Sequence, residues 1–357
     1  MNNYYIDVHV LQTVPPSCVN RDDTGSPKTS IYGGTTRARV SSQAWKHAMR
    51  EEFKKLFTQE QLGKRTKRIV NLISEKVLQK NSKLDKAKVD NKVLGILKDA
   101  GFKMKSVEKG TDALFFMSDK QAEAVGDLYL ETDDKKEYKK LVADALRDHP
   151  SVDMALFGRM VASDPSLNYD ASAQVAHAIS THKIVTEYDY FTAVDDCSPD
   201  DNAGAGHLGT VEFNSATLYR YASVNIRELF EYLGDDTAEA ARKFVQAFVL
   251  SMPTGKQNTF ANRTVPDLVY VAIRNDQPVN MSGAFEKAVP DSKNGYLEES
   301  INRLNKYTKK VYKDFVDIPS KEYIVGTESF GKDVTKISFK ELLNNLEEDV
   351  RVYQEMG

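Results

Sequence analysis

The chain has 357 residues, 41% hydrophobic and 28% charged, enough to bury the core of one large domain or two ordinary ones. A formal net charge of −3 excludes a uniformly basic nucleic-acid coat, and the two cysteines, Cys18 and Cys197, stand in unrelated segments without a CxxC spacing, which argues against a disulfide framework or a zinc site. No uncharged apolar run approaches the roughly 20 residues of a membrane span, and no basic stretch precedes the first apolar residues, so the expectation is a cytoplasmic protein with no membrane partner.

Tyr4, Ile6, Val8 and Val10 alternate with Tyr5, Asp7, His9 and Leu11, a period of two that predicts a strand with one buried face, broken at Pro15-Pro16. The polar stretch RDDTGSPKT reads as a loop, and Gly33-Gly34 as a turn feeding a short strand. Ser41 or Ser42 is placed to cap the helix that follows. In that helix Trp45, Ala48, Met49, Phe53 and Leu56 recur at three and four, while Lys46 and Arg50 share the opposite face. From Arg21 to Arg50 six Lys/Arg stand against two Asp, a net of +4; from Lys54 to Lys109 sixteen stand against six Asp/Glu, a net of +10.

Residues 58–149 read as a Lys-rich helical insertion, with KGTDALFFMSDKQAEAVGDLY as its own apolar core. SAQVAHAISTHK reads as helical, which sets His177 and His182 on different faces rather than at the i, i+4 spacing of a zinc pair. YFTAV and EFNSATLYRYASVNI read as strands flanking a long Asp/Gly loop, a projecting hairpin. AEAARKFVQAFVLSM predicts a helix ended by Pro253, and DLVYVAIRN a buried strand. This order suits an α+β fold, a ferredoxin-like or RRM-like βαββαβ sheet carrying a helical insertion.

GAGHLG (Gly204, Gly206, Gly209) spells a dinucleotide fingerprint in the wrong context, since a polar loop precedes it and a strand follows. Asp22 and Asp23 could be metal ligands, but no third ligand stands at a supporting spacing, and a loop cap is the plainer reading. Tyr219 and Tyr221 share a strand face that could stack bases or pack a sheet. Arg37, Arg39, Lys46 and Arg50, with Ser41, Ser42 and a helix N-terminus, could meet successive phosphates, although such runs are usually solvated faces. No arrangement of Ser, His and Asp or of Cys and His points to a nucleophile, so neither a catalytic residue nor a cofactor is expected.

HVLQTVPPSCVNRDDTGSPKTSIYGG followed by RARVSSQAWKHAMR strongly resembles the start of the CasC family, the guide-RNA-binding backbone subunits of the type I-E CRISPR Cascade complex. DMALFGRM, AQVAHAISTH, YFTAVDD, GAGHL, EFNSATLYRYASVNI and MSGAFEKAV extend the resemblance to about residue 290. The resemblance implies a hand: an RRM-like palm (1–57 and 184–357), helical fingers (58–183) and a thumb hairpin loop (194–212). It also implies polymerisation head to tail along CRISPR RNA, kinked periodically, with its bases presented to target DNA and other Cascade subunits as partners.

Carried over by position, Arg21, Lys28, Ser41, Gln43, Lys46 and Arg50 fall on palm positions that grip phosphates, with Arg37 and Arg39 on the adjoining basic strand. Arg159 and Met160 match an element at the kink. Phe191 and Leu208, with His207 beside it, match the thumb wedge, which unstacks bases without reading them. Related backbone subunits cut RNA with an aspartate after the first strand, so the alternative implied is a metal-dependent ribonuclease using Asp22 and Asp23.

Overall fold

The computed structural model describes residues 3–131, 136–161, 164–193, 207–327, 330–331 and 334–355. Residues 194–206, which carry Cys197, Gly204, Gly206 and most of the expected thumb loop, lie outside the described residues. In chain order the first elements are β1 (Tyr5–Ser17), β2 (Thr29–Tyr32), β3 (Thr35–Val40), α1 (Ser42–Leu56), β4 (Lys64–Thr66), α2 (Ile69–Lys80), α3 (Lys86–Asp99) and β5 (Phe115–Met117). Then come α4 (Asp119–Glu131), α5 (Tyr138–Arg147), α6 (Val152–Phe157), β6 (Ala173–Val175), β7 (Ala178–Ser180), β8 (Glu187–Ala193) and β9 (His207–Asn225). The chain continues through α7 (Ile226–Leu233), α8 (Thr237–Leu250), α9 (Gln257–Phe260), β10 (Leu268–Arg274), α10 (Leu297–Asp314), β11 (Lys321–Val325), β12 (Thr335–Lys336) and α11 (Phe339–Glu355).

These elements form two compact units. The first comprises Met1–Glu51, Val175–Val224 and Ala241–Gly357, the second Glu52–Gln174 with Asn225–Ala240. The first is built on a large mixed sheet whose main path is β12-β11-β10-β1-β9-β7-β3-β2, with β8 pairing to β9 beside it. β1 runs antiparallel to β10 from Tyr5↔Arg274 to Leu11↔Leu268. Every residue of β10 is buried, as its unbroken apolar run requires.

Two sequence expectations for β1 change. Both its faces are buried, not one: Ile6, Val8 and Val10 face one layer while Asp7, His9 and Leu11, all at 1% exposure or less, face another. The strand also continues through Pro15 and Pro16 to Ser17, because the register with β10 ends at Leu11 and the missing N–H groups cost that ladder nothing. SAQVAHAISTHK, expected as helix, forms β6 and β7 instead: each is too short to show a period, and β7 gains its ladder from β3 and β9.

One face of the sheet carries Leu11, Tyr219, Tyr221 and Tyr270, packed with Ile301, Leu304 and Val311 of α10. Tyr219 and Tyr221 are therefore core residues, not stacking platforms. His182 is also internal: its ring stacks on Tyr296 at 3.5 Å, its Nε2 accepts from the Thr217 amide, and its Nδ1 donates to the Lys183 carbonyl. The opposite face holds Arg220, whose guanidinium lies 3.8 Å from the Trp45 ring of α1 and 4.8 Å from the Phe248 ring of α8. Arg220 donates to Gln12 Oε1 and the Phe248 carbonyl, and burial pulls its pKa down to about 9.

The second unit packs α2, α3, α4 and α5 around Ile73, Val77, Val93, Leu97, Val125 and Leu146. Phe115, Met117, Ala122 and Val125 from the apolar patch join this core, as the sequence predicts. Within the Lys-rich segment, β4 and β5 pair as a two-stranded ribbon that has too few residues to show a pattern. Lysines on α2 are paired: Lys76 with Asp119, and Lys80 with Glu123 and Asp127.

Candidate nucleic-acid interface

At the β3–α1 junction, cations gather around a helix N-terminus. Asn20 ties the loop to the helix: its carbonyl accepts from the Lys28 amide at 2.8 Å and its Oδ1 from the Ser41 amide at 2.9 Å. Ser41 Oγ accepts from the Ala44 amide, making Ser41 the cap. The Ser42 amide and Arg39 Nη1 both donate to His177 Nδ1, at 3.3 and 3.4 Å, which leaves the proton of a neutral ring on Nε2. Partial burial, then Arg39 and Lys28, lower the His177 pKa. Lys28, Arg39, His177 and the first turn of α1, with Gln43 exposed on it, thus form one electropositive edge. Lys46 and Arg50 follow one turn apart on α1, both partly exposed, and Arg21 is exposed on the preceding loop.

Arg37 departs from expectation. It is 0% exposed and donates to Thr35 Oγ1 and to the carbonyls of Ser180, Phe285 and Glu286. The two arginines stand two apart on β3 and share a face, but Arg37 is enclosed by the Ser180, Phe285 and Glu286 carbonyls as an internal clamp, whereas Arg39, near the strand end, donates to the Thr29 carbonyl and reaches His177 at the edge. Ser41, 5% exposed, supports the site as a cap and does not present a free donor surface. Asp22 is a turn residue: its Oδ1 accepts from the Thr24 amide, the Thr24 hydroxyl and the Ser26 amide, and these bonds hold its pKa down. Among the described residues no group of three or more His, Cys, Asp or Glu could hold a metal ion.

Arg159 is likewise internal. It is 4% exposed, donates to the carbonyls of Phe116, Leu146 and Leu167 and to Gln121 Oε1, and lies over the rings of Phe115 and Tyr169. Burial lowers its pKa to about 10. Its neighbour Met160 is 84% exposed. Gly158, at φ +77°, makes this arrangement possible, since a Cβ there would meet the Tyr169 carbonyl oxygen at 2.9 Å. The buried arginine is the anchor and the methionine is what it presents.

β8 is exposed along its whole length and pairs with β9 from Glu187↔Phe213 to Ala193↔His207. Phe191 stands opposite Gly209, and Leu208 opposite Thr192. Directly paired residues share a face, so Phe191 and Leu208, expected as one wedge, project from opposite faces of the ribbon. Leu208 shares its face with Tyr188 and Tyr190, exposed at 67% and 64%. Gly209 lets the Phe191 ring lie across the partner strand, since a Cβ there would sit 2.4 Å from its Cζ. His207 opens β9. His177 and the two tyrosines escaped sequence reasoning; the alternation of Tyr188 and Tyr190 in EYDYF was the available signal for the tyrosines, and for His177 there was none short of knowing that its segment is a strand.

No match was found among curated proteins. A chain of a solved structure titled "CRISPR RNA-guided surveillance complex, pre-nicking" is 30% identical, covers 97% of this chain and 100% of its own length, and superposes with a TM-score of 0.81. A chain of another, titled "CRISPR RNA-guided surveillance complex", is 28% identical, covers 97% and 99%, and has a TM-score of 0.63. Both are similar to this chain over nearly its full length. A family model described as CT1975-like protein matches residues 6–349, and the chain therefore belongs to that family, in keeping with the CasC resemblance of its motifs.

Proposed function

We propose that this chain is a non-catalytic guide-RNA-binding subunit of a type I-E CRISPR surveillance complex, polymerising head to tail along the RNA to form its backbone. The observation that carries the reading is the convergence of Lys28, Arg39, His177 and the α1 N-terminus, continued by Lys46 and Arg50, into one electropositive edge suited to phosphates. Such an edge holds RNA by its backbone and leaves base edges to pair with target DNA. The exposed hairpin of β8 and β9 supplies apolar side chains, Phe191 on one face and Leu208 on the other, for separating neighbouring bases at each kink.

In this reading the first unit is an RRM-like palm. Support comes from β1 lying between β10 and β9, the positions of the last and third strands of a βαββαβ sheet. The ribonuclease alternative is not favoured, because Asp22 already closes its own turn. The test is co-expression with guide RNA and the other complex subunits, reading the 260-to-280 nm absorbance ratio and the salt dependence of RNA retention. Lys46→Ala with Arg50→Ala should reduce the slope of log K against log salt by about 0.7 per lost contact. An unchanged slope, or cleavage of complementary RNA that Asp22→Ala abolishes, would overturn the proposal.

A further inference from the structure

α10 carries a second cationic surface that the guide-RNA edge does not use. Its inward residues, Ile301, Leu304, Thr308 and Val311, are buried at helical spacing. Outward, residues 300–313 hold five Lys/Arg and no Asp/Glu. Arg303 is committed locally, to Glu299 and to the carbonyls of Lys287 and Ala288. Lys306, Lys309, Lys310 and Lys313 are all exposed.

Among the described residues none of these four lysines has an ion-pair partner, whereas Lys76 and Lys80 on α2 and Arg351 on α11 are all paired. The contrast has a cost. Four like-charge pairs at i, i+3 or i, i+4 oppose the helix by about 0.2–0.5 kcal/mol each. All four lysines line an open depression together with Arg303, Tyr307, Gly283, Ala284 and Asp314. Tyr307 lies against Gly283 so closely that a Cβ there would meet its Oη at 2.2 Å. The half-buried Tyr307 ring packs against the core and lines the depression among the lysines, and Phe315 and Ile318, exposed at 76% and 75%, extend the apolar surface past the helix end.

The helix α10 is on the other side of the sheet from α1. α10 packs with Tyr219 and Tyr221, whereas the α1 residue Trp45 packs on Arg220, and consecutive β9 side chains point to opposite faces. One strand lying along α1 therefore does not neutralise α10. We infer that α10 binds a second single-stranded nucleic acid, its phosphates on Lys306, Lys310 and Lys313 and a base on Tyr307. Aromatic surface interleaved with lysines fits a single strand, whose bases are free to stack, better than a duplex or an acidic protein. The three lysines span about 10 Å of helix axis, a few nucleotides of strand.

The test uses the full chain assembled with guide RNA, so that the α1 edge is occupied. Binding of fluorescent (dT)20 and (rU)20 is followed by anisotropy against salt, for wild type, Lys306→Gln/Lys310→Gln/Lys313→Gln, Tyr307→Leu and Lys46→Ala/Arg50→Ala. The expected result for the triple variant is a loss of tenfold or more in affinity and a slope smaller by about 2, three contacts at about 0.7 each, with guide retention and melting temperature unchanged. Tyr307→Leu should lose affinity at unchanged slope. The ratio of (dT)20 to (rU)20 affinity tells which kind of strand the surface takes. Unchanged affinity and slope in the triple variant, or an equal loss only in the α1 variant, would overturn the inference. Guide retention reads the α1 proposal separately, so the two can fail independently.

Discussion

Replacing Arg37 with alanine separates its two possible roles, because the side chain is sealed from solvent and every guanidinium nitrogen has a protein partner. Removal strands three buried carbonyls, those of Ser180, Phe285 and Glu286, and the Thr35 hydroxyl. Leaving a buried group without its partner costs about 1–3 kcal/mol, and since these groups share one site the losses do not add fully; about 3–5 kcal/mol is the expected total. For a unit of this size each kcal/mol lowers the melting temperature by about 2–4 °C, so the variant should melt roughly 10 °C early. Lysine cannot reach three carbonyls with one ammonium, and Arg37→Lys should fall nearly as far. Circular dichroism melts of the purified chain give the shift, and RNA titrations well below the melting temperature give the salt slope. Arg39→Ala is the control, lowering the slope with little effect on melting. If Arg37→Ala kept the wild-type melting temperature and lost salt slope, the clamp assignment would be refuted.

His9 titrates near 6.5 when unfolded and is pulled down to about 3 by burial, with Arg274 adding to the effect. The stability it confers is complete above pH 6.5 and is lost as pH falls toward 3. Asp7, pushed up to about 6 by burial, works in reverse, its contribution lost as pH rises from about 4 to 6. His9→Gln should therefore gain melting temperature relative to wild type between pH 6.5 and 4, and parallel profiles would contradict this. Gly209→Ala should displace the Phe191 ring, reproduce the RNA-binding loss of Phe191→Ala, and add nothing to it in the double variant; additive losses would mean that the ring is placed by something else. Arg159→Ala should destabilise the second unit by several kcal/mol, whereas Met160→Ala should leave melting unchanged and alter only RNA contacts, as read by nuclease protection. Equal melting of the two variants would remove the anchor-and-display assignment.

Long periodic elements were legible in the sequence. The α1 stripe of Trp45, Met49 and Phe53, the α8 stripe of Phe244 and Phe248, and the run of β10 follow from spacing alone. Short strands were not: β6 and β7 have three residues each, and their ladders come from β3 and β9, which are remote in sequence. The same limit governs the site. A lone strand pattern says that Arg37 and Arg39 share a face, but not whether that face looks inward or outward, and here Arg37 is 0% exposed while Arg39 stays at the edge with His177. Motif resemblance marked GRM as a unit without telling which of its residues touches the protein and which the partner. Buried Arg159 and exposed Met160 divide that motif in a way only tertiary packing decides.

β9 is continuous from His207 to Asn225, and it is buried around Tyr219 but exposed at Leu208. At about 3.3 Å per residue it is a rod of roughly 60 Å, packed in the core at one end and, toward the other, paired only with the exposed β8. Such a rod works as a ruler: the distance from the core to Phe191 and Leu208 is fixed by residue count. Adding two residues to each strand of the hairpin would lengthen the reach by about 7 Å and keep Phe191 and Leu208 on their faces, whereas adding one would lengthen it by half as much and exchange the faces. Any periodicity that the chain imposes on a bound polymer would then be written into strand length, and could be reset by even-numbered insertions alone.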